Sequence, residues 1–262
     1  MFSNEPRRIF EKNPILEVIC QLRFPEILAI GSRPPVDFQE AIRGEYPQYQ
    51  AMKEVAQPKI TGTPGNFQLQ ESQPTLNYNF RTQDGLWRIN LTSKFISLSC
   101  AKYDRWEEFA RRLDQMLAAF IRVYAPAYFD RVGLRFINAV CRSELGLEDT
   151  PFRDLIRSPY LGLLAEEEVN EKTANRSSVD TELTIQGGCR AKIHAGPGMV
   201  RRPGMESPEE VRFILDNDLF MSGNVPVNLS AAALNTLHGQ ADSLFRGAIT
   251  DTLFDAMEPM EP

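Results

Sequence analysis

Histidine is scarce in this chain, with only His194 and His238 in 262 residues. Cysteine is scarce as well: Cys20, Cys100, Cys141 and Cys189 lie far apart and form no CxxC pair. Neither histidine is near a cysteine pair, so a zinc site is not expected. The expectation is reduced, structural thiols, with no metal, no disulfide and no cofactor. No run approaches ~18 apolar residues, the length a spanning helix needs, so no membrane segment is expected. The arginines at the N-terminus are followed by no apolar stretch, which argues against a signal peptide and for a cytoplasmic protein. Net charge is −6, from 29 Lys+Arg against 35 Asp+Glu. A generic nucleic-acid coater is usually basic, so that balance counts against such a role without excluding a local basic surface.

Apolar residues are plentiful, at 42% hydrophobic and 10% aromatic, enough for a substantial core. Ile15 to Phe24 alternates apolar and polar positions and reads as a half-buried strand. VDFQEAIRGEYPQYQ reads as a short helix stopped near Pro47, and residues 57–66 as a loop. Three strand-like runs follow, with a hairpin turn at Asp84-Gly85 and a split near Ser93-Lys94. A long amphipathic helix spans about Asp104 to Tyr124, with Asp104 as its cap and Pro126 as its stop. The order then recurs. DRVGLRFINAVC is a strand, PFRDLIRSPYLGLL is helical, and VDTELTIQGG, CRAKIHAG and EEVRFILDNDLF are strands. GPGMVRRPGMESP is a loop between the last two, and a final helix runs from about Leu229 to Met257.

Leu22-Arg23-Phe24 and Leu134-Arg135-Phe136 are the same tripeptide, 112 residues apart, at matching points of matching strands. The matched order of elements is the stronger signal. It predicts an α+β fold made by tandem duplication of a β-α-β4-α unit, with residues 1–127 as the first repeat and 128–262 as the second, in one continuous unit. That arrangement is TATA-binding-protein-like: a curved antiparallel sheet with the long helices on one face. A tandem ferredoxin-like fold is the alternative.

NPILEVICQLRFP, DRVGLRFINAV and LNTLHGQADSLFRGAIT together resemble a sporadically distributed family of uncharacterised prokaryotic proteins. That family carries an NP-I-E-V strand, an R-x-GLR-[FY]-N strand and an LH…F…IT helix. The resemblance covers nearly the whole chain. Patchy distribution implies accessory genes of the defence, mobile-element or toxin–antitoxin kind. It implies no catalytic residue.

Single motifs carry little chemistry. His238 sits beside the apolar stripe of the last helix and reads as a packing residue, with Asp242 one turn away. Gly196-Pro197-Gly198 followed by Arg201-Arg202 lacks the Lys-Ser/Thr of a phosphate loop. Glu166, Glu167 and Glu168 are a linker charge run. Asp216, Asn217 and Asp218 lack the glycine and closing glutamate of a calcium loop and read as solvated turn residues. Asn138 shares the core side with Leu134 and Phe136 and is expected to tie down a loop or helix end.

The strand positions opposite the apolar ones define an open face. They place Arg23, Arg81, Arg88, Arg135, Arg190, Lys192 and Arg212 there, with His194, against the anions Glu17, Glu182 and Asp216. Clustered cations on one face of an acidic protein focus a positive potential. The reading that follows is a binding module, leaning away from an enzyme, that recognises an acidic protein, a nucleotide or a nucleic acid. The alternative is an enzyme acting on a phosphate-bearing or nucleotide substrate, using His194 or His238 with a carboxylate. A pocket joining a histidine to Asp or Glu would favour that alternative.

Overall fold

Alternation in the first strand carries directly into the architecture. A computed structural model describes residues 2–54, 59–63, 66–70, 75–200 and 210–262. In chain order the first half holds β1 (Ile9–Phe10), β2 (Ile15–Arg23), α1 (Leu28–Ser32), α2 (Val36–Ile42), β3 (Gln48–Glu54), β4 (Lys59–Thr63), β5 (Asn66–Gln70), β6 (Thr75–Arg81), β7 (Trp87–Leu91), β8 (Phe95–Cys100) and α3 (Trp106–Tyr124). The second holds β9 (Tyr128–Val140), α4 (Arg142–Leu145), α5 (Phe152–Leu155), β10 (Val179–Thr184), β11 (Arg190–Gly198), β12 (Arg212–Pro226), α6 (Ser230–Ala248), α7 (Asp251–Ala256) and β13 (Pro259–Met260).

One antiparallel sheet of nine strands runs β10-β11-β12-β9-β2-β8-β7-β6-β3. At its centre β2 pairs with β9, setting Ile19 opposite Arg135 and Arg23 opposite Arg131. Outward from that pair the neighbours are β8, β7 and β6 on one side, and β12, β11 and β10 on the other. Only the first side continues, to β3. The fold is thus α+β, a mixed architecture with a large antiparallel sheet.

Period two sends Val18, Cys20 and Leu22 to one face, all fully buried, and Gln21 and Arg23 to the other. The buried face receives the long helices. In α3, Phe109, Leu113, Met116 and Phe120 fall on one stripe and are buried. Phe120 meets Phe24 at 4.9 Å between ring centroids. Truncating such a fully enclosed phenyl typically costs ~3–5 kcal/mol. Ala125, in the left-handed conformation, ends α3 just before Pro126. Among the described residues the sheet's other face carries no helix of comparable length, and it is polar.

Several local expectations need correction. Residues Gln48–Glu54 form β3 against β6, and the stretch expected to be a loop contains β4, which pairs with β5. Asp104 does not cap α3: the N-cap is Arg105, with no side-chain cap, and Asp104 pairs with that arginine instead. The last helix is two, α6 and α7, broken at Ile249, with Thr250 capping α7 by accepting from the Leu253 amide. Gly196, Pro197 and Gly198 lie within β11, paired with Ile214, Phe213 and Arg212, so they are strand and not loop. Arg201 and Arg202 lie outside the described residues. All four cysteines are buried free thiols.

Candidate functional site

On the polar face the central strands lay down a cleft of about 730 Å³. Its lining includes six cations, Arg23, Arg88, Arg131, Arg135, Arg190 and Lys192, against the carboxylates Glu182 and Asp218. Amides and hydroxyls fill the floor on the β6–β8 side, among them Asn77, Asn90, Ser97 and Ser99. Asn77 and Asn79 share this polar face but are buried, at 3% and 2% exposure, so they form its floor and not its rim.

Each cation is placed by strand register. Arg135 on β9 forks onto Asp216 of β12, with Nε donating to Oδ1 at 2.7 Å and Nη2 to Oδ2 at 2.5 Å. Arg131, four residues earlier and therefore on the same side, spans both oxygens of Asp218 at 2.7 and 2.8 Å. The Arg135 fork is the bidentate pairing guanidinium favours, whereas Arg131 reaches both oxygens through Nη2 alone. Hydrogen bonding to Asp216 raises the Arg135 pKa further above its ordinary value. Arg190 pairs with Glu182 across β10 and β11, and Lys192 approaches the same carboxylate at 3.7 Å. Arg88 reaches Glu17 at 3.4 Å. Among the described residues Arg23 has no carboxylate partner; its Nε donates to Gln21 at 3.0 Å. Arg81 faces Arg88 directly across β6 and β7, a like-charge cross-strand pair that costs stability unless an anion lies over it.

Phe220 lies beneath this array. The Arg131 guanidinium sits 4.4 Å from its ring centroid, Arg190 5.3 Å and the Lys192 ammonium 5.8 Å. The ring's negative face holds cations in place that would otherwise repel one another.

The expected surface changes in three ways. Arg212 does not belong to it. Although it has the right strand parity, it is 6% exposed and donates to Glu144 of α4 at 2.7 Å. Asp216 and Asp218 are not turn residues; they sit mid-strand in β12 and hold the two β9 arginines. Asp180 and Asp218 add acids that the alternation argument passed over, and Arg131 and Phe220 add binding groups. Arg131 was legible, because it shares parity with Arg135 on one strand. Phe220 gave no signal beyond its place in an apolar run.

His194 is exposed, and its Nδ1 lies 2.7 Å from Asp180 Oδ1. Arg135, Lys192 and Asp216 line the same depression, of about 450 Å³. This is the histidine–carboxylate contact whose presence would favour catalysis, and Asp180 was absent from the expected set.

His238 lies on the opposite, helix-covered side. It stacks on Trp106 with centroids 4.2 Å apart and planes 10° from parallel. Burial, aided by the nearby Arg7, pulls its pKa down to about 4. Asn138 beside it donates to the Leu215 carbonyl at 3.0 Å. The asparagine therefore ties β9 to β12, and not to a loop or helix end.

No family model matches the chain, and no curated protein is similar enough to it to be matched. Among the described residues no group of three or more His, Cys, Asp or Glu is arranged to hold a metal ion. No helix among them is long and apolar enough to cross a membrane.

Proposed function

We propose that the chain is a binding module, not an enzyme, that takes an anionic partner on the polar face of its sheet. The partner classes are an acidic protein surface, a nucleotide or a nucleic acid. The observation that carries this reading is the cleft lining: six cations against two carboxylates, in a chain of net charge −6. Surface pairing with acids accounts for Arg88, Arg131, Arg135, Arg190 and Lys192. Among the described residues it leaves Arg23 without an acid and Arg81 beside Arg88 with none of its own, the places where an incoming anion gains most.

Tandem duplication belongs to the same proposal. It is supported by the strand order, which is the same read outward from either side of β2–β9 as far as β6 and β10. It is supported also by register: a shift of 112 residues takes Ile19 to Arg131 and Arg23 to Arg135, and these are the cross-strand partners exchanged. A TATA-binding-protein-like concave sheet fits that pattern, and so does the resemblance to the sporadic prokaryotic family. In this reading Arg23 and Arg135 are equivalent residues near a pseudo-twofold axis.

The test is a binding titration with a single-stranded oligonucleotide and with poly-glutamate, at low and high salt, paired with a thermal melt. The Arg23→Ala/Arg135→Ala double variant is expected to fold and to lose most of the salt-sensitive binding. Charge-assisted contacts of this kind contribute ~1.5–3 kcal/mol each. A folded variant with unchanged binding sinks the proposal.

A second reading is favoured by the 2.7 Å contact between His194 and Asp180. There the imidazole acts as a general base oriented by the carboxylate, with Arg135 and Lys192 holding a phosphate. Turnover of a phosphodiester or phosphomonoester that disappears in His194→Ala decides for it.

A further inference from the structure

Two hollows of different kind lie on opposite sides of the sheet. The smaller is a pocket beneath α6, a chamber of about 60 Å³ between the segment preceding β2, the residues just before α3, and β9 and β12. Arg7, Tyr103 and Asn138 meet Asp242, Asn217 and His238 around it. Donors and acceptors are mixed there, so its lining selects no class of ligand. The cleft on the polar face does select, because its neutral and charged parts are segregated.

Strand register sorts the cleft into rows. One row crosses β6, β7, β8 and β2 as Asn79, Asn90, Ser97 and Gln21, and it holds no charge. The row on one side of it runs Arg81, Arg88, Ser99 and Ile19. The row on the other side includes Phe95, Arg23 and Arg131. Neighbouring strands lie ~4.8 Å apart, so the uncharged patch from β7 to β2 is about 10 Å wide, with arginines on both flanks.

Ser97 and Ser99 are 5% and 6% exposed, and among the described residues their hydroxyls bond to nothing. Among the same residues Nδ2 of Asn90 and Nε2 of Gln21 are also without an acceptor, while Gln21 Oε1 accepts from Arg23. Asn90 Oδ1 is enclosed and takes no part; the other four groups are open to the cleft. Ile19 and Phe95, both half-buried, add apolar surface beside them. A carboxylate or phosphate set on this patch would lose water to apolar atoms and find no cation in the central row, which costs free energy. A flat heteroaromatic ring with neutral polar edges loses far less. It also uses hydroxyls in both senses, since a hydroxyl donates and accepts. The anionic part of the ligand then belongs at Arg23, which has no acid of its own among the described residues and lies opposite Arg131.

On the reading of this cleft as an anion site, we infer that its ligand is a nucleoside phosphate, free or as one unit of a single strand. The base lies on Asn90, Ser97, Ser99 and Gln21, and the phosphate meets Arg23. A duplex keeps its bases paired and stacked inside, and offers the patch only backbone. An acidic peptide meets the arginines and leaves the patch unused.

The test titrates the four ribonucleoside 5′-monophosphates, ribose 5-phosphate and poly-glutamate by calorimetry, with two-dimensional amide spectra alongside. At least one monophosphate is expected to bind saturably, at least tenfold more tightly than ribose 5-phosphate, and to shift the Ser97 and Ser99 amide resonances. Ser97→Leu covers the patch without changing charge, and Asn90→Ala removes one donor; a thermal melt confirms that each folds. The first is expected to weaken that nucleotide at least tenfold and the second at least threefold, with ribose 5-phosphate and poly-glutamate unchanged. A single-stranded hexanucleotide that binds more tightly than the monophosphate assigns the strand as the source, and equal affinity assigns the free nucleotide. Ribose 5-phosphate or poly-glutamate binding as tightly as every nucleotide overturns the base assignment and leaves the anion cleft standing. So does equal binding of single strand and duplex, and so does nucleotide binding unchanged in both folded variants. Absence of binding by every anion overturns this inference and the reading beneath it together.

Discussion

At the scale of single residues, the two arginines of the repeated tripeptide are no longer alike. Arg23 is exposed and among the described residues bonds only to Gln21, so Arg23→Ala should change stability by less than ~0.5 kcal/mol. Arg135→Ala strips Asp216, whose side chain is 15% exposed, of its bidentate partner. It should cost more, about 1–2 kcal/mol, because a half-buried carboxylate loses its hydrogen bonds. Separate melts of the two single variants check the ranking. Gly133 is a quieter control on the same cleft. A Cβ there would lie 2.2 Å from Arg131 Nη1, so Gly133→Ala should push that guanidinium off Asp218 and lower partner affinity, at a smaller cost in stability than Arg135→Ala because Asp218, at 28% side-chain exposure, is more open than Asp216. His238 gives a pH signature. Its folded pKa, about 4, is below the ordinary ~6.5, so between those values the unfolded chain binds a proton that the folded one refuses. The contribution is complete above pH ~6.5, is lost as pH falls toward 4, and is of order 1–3 kcal/mol. Asp242, with a raised pKa, works in the opposite direction just above 3.8 and softens the lower end of that slope. His238→Gln, which cannot titrate, should flatten the slope between pH 6.5 and 4 in denaturant titrations; an identical slope would assign it to other groups.

Among the elements, β12 shows why the sequence was only partly readable. Asp216-Asn217-Asp218 has the composition of a turn, since short polar side chains satisfy backbone groups locally. Period two is present, but its core-facing member is Asn217 and not an aliphatic residue, so the alternation is masked. The strand continues to Pro226, with a register shift between Ser222 and Val225, beyond where its apolar run stops. In β3, Gln48–Glu54 lies at the sheet edge with little apolar content to reveal it. By contrast β2, β9 and α3 were legible, because each carries a long apolar period, interrupted in β9 at Asn138. The Asp84-Gly85 turn was also legible: Gly85 has φ +72 and Asp84 accepts from the Leu86 amide at 3.0 Å. Within β11, Gly196 is required by close approach. A Cβ would lie 2.5 Å from the Ser177 carbonyl oxygen, which is backbone and cannot swing away. Gly196→Ala should cost about 2 kcal/mol or more, and hydrogen exchange should show β10 and β11 opening first.

For the whole molecule, the sheet is one continuous hydrogen-bonded layer, with Cys20, Cys100 and Cys189 at 0% exposure and Cys141 at 4%. Burial raises every thiol's pKa, that of Cys100 to about 11. Alkylation in native buffer should therefore be slow at all four sites and should accelerate together at the denaturant midpoint, as mass spectrometry would show. One thiol reacting early would mark a region that opens by itself. Net charge gave the first clue to function and also limited it: −6 spread over the chain conceals a cleft of opposite sign, which only strand parity could expose. The pocket beneath α6 was invisible at that level, because its lining comes from β9, β12, α6, the segment before β2 and the residues just before α3, five stretches that share no local pattern.

Three consecutive residues of β12 look two ways: Asp216 and Asp218 toward the cleft, and Asn217 into the chamber beneath the helices. A strand so divided tolerates length change only in even steps. One residue inserted before Asp216 without compensation would turn both carboxylates toward the helix-covered core and swing the amide outward, unmaking both surfaces at once. Two inserted residues would restore the facing and shift only which neighbours meet. The segment of the chain least open to single-residue insertion is thus a run that, by its letters alone, looks like a turn.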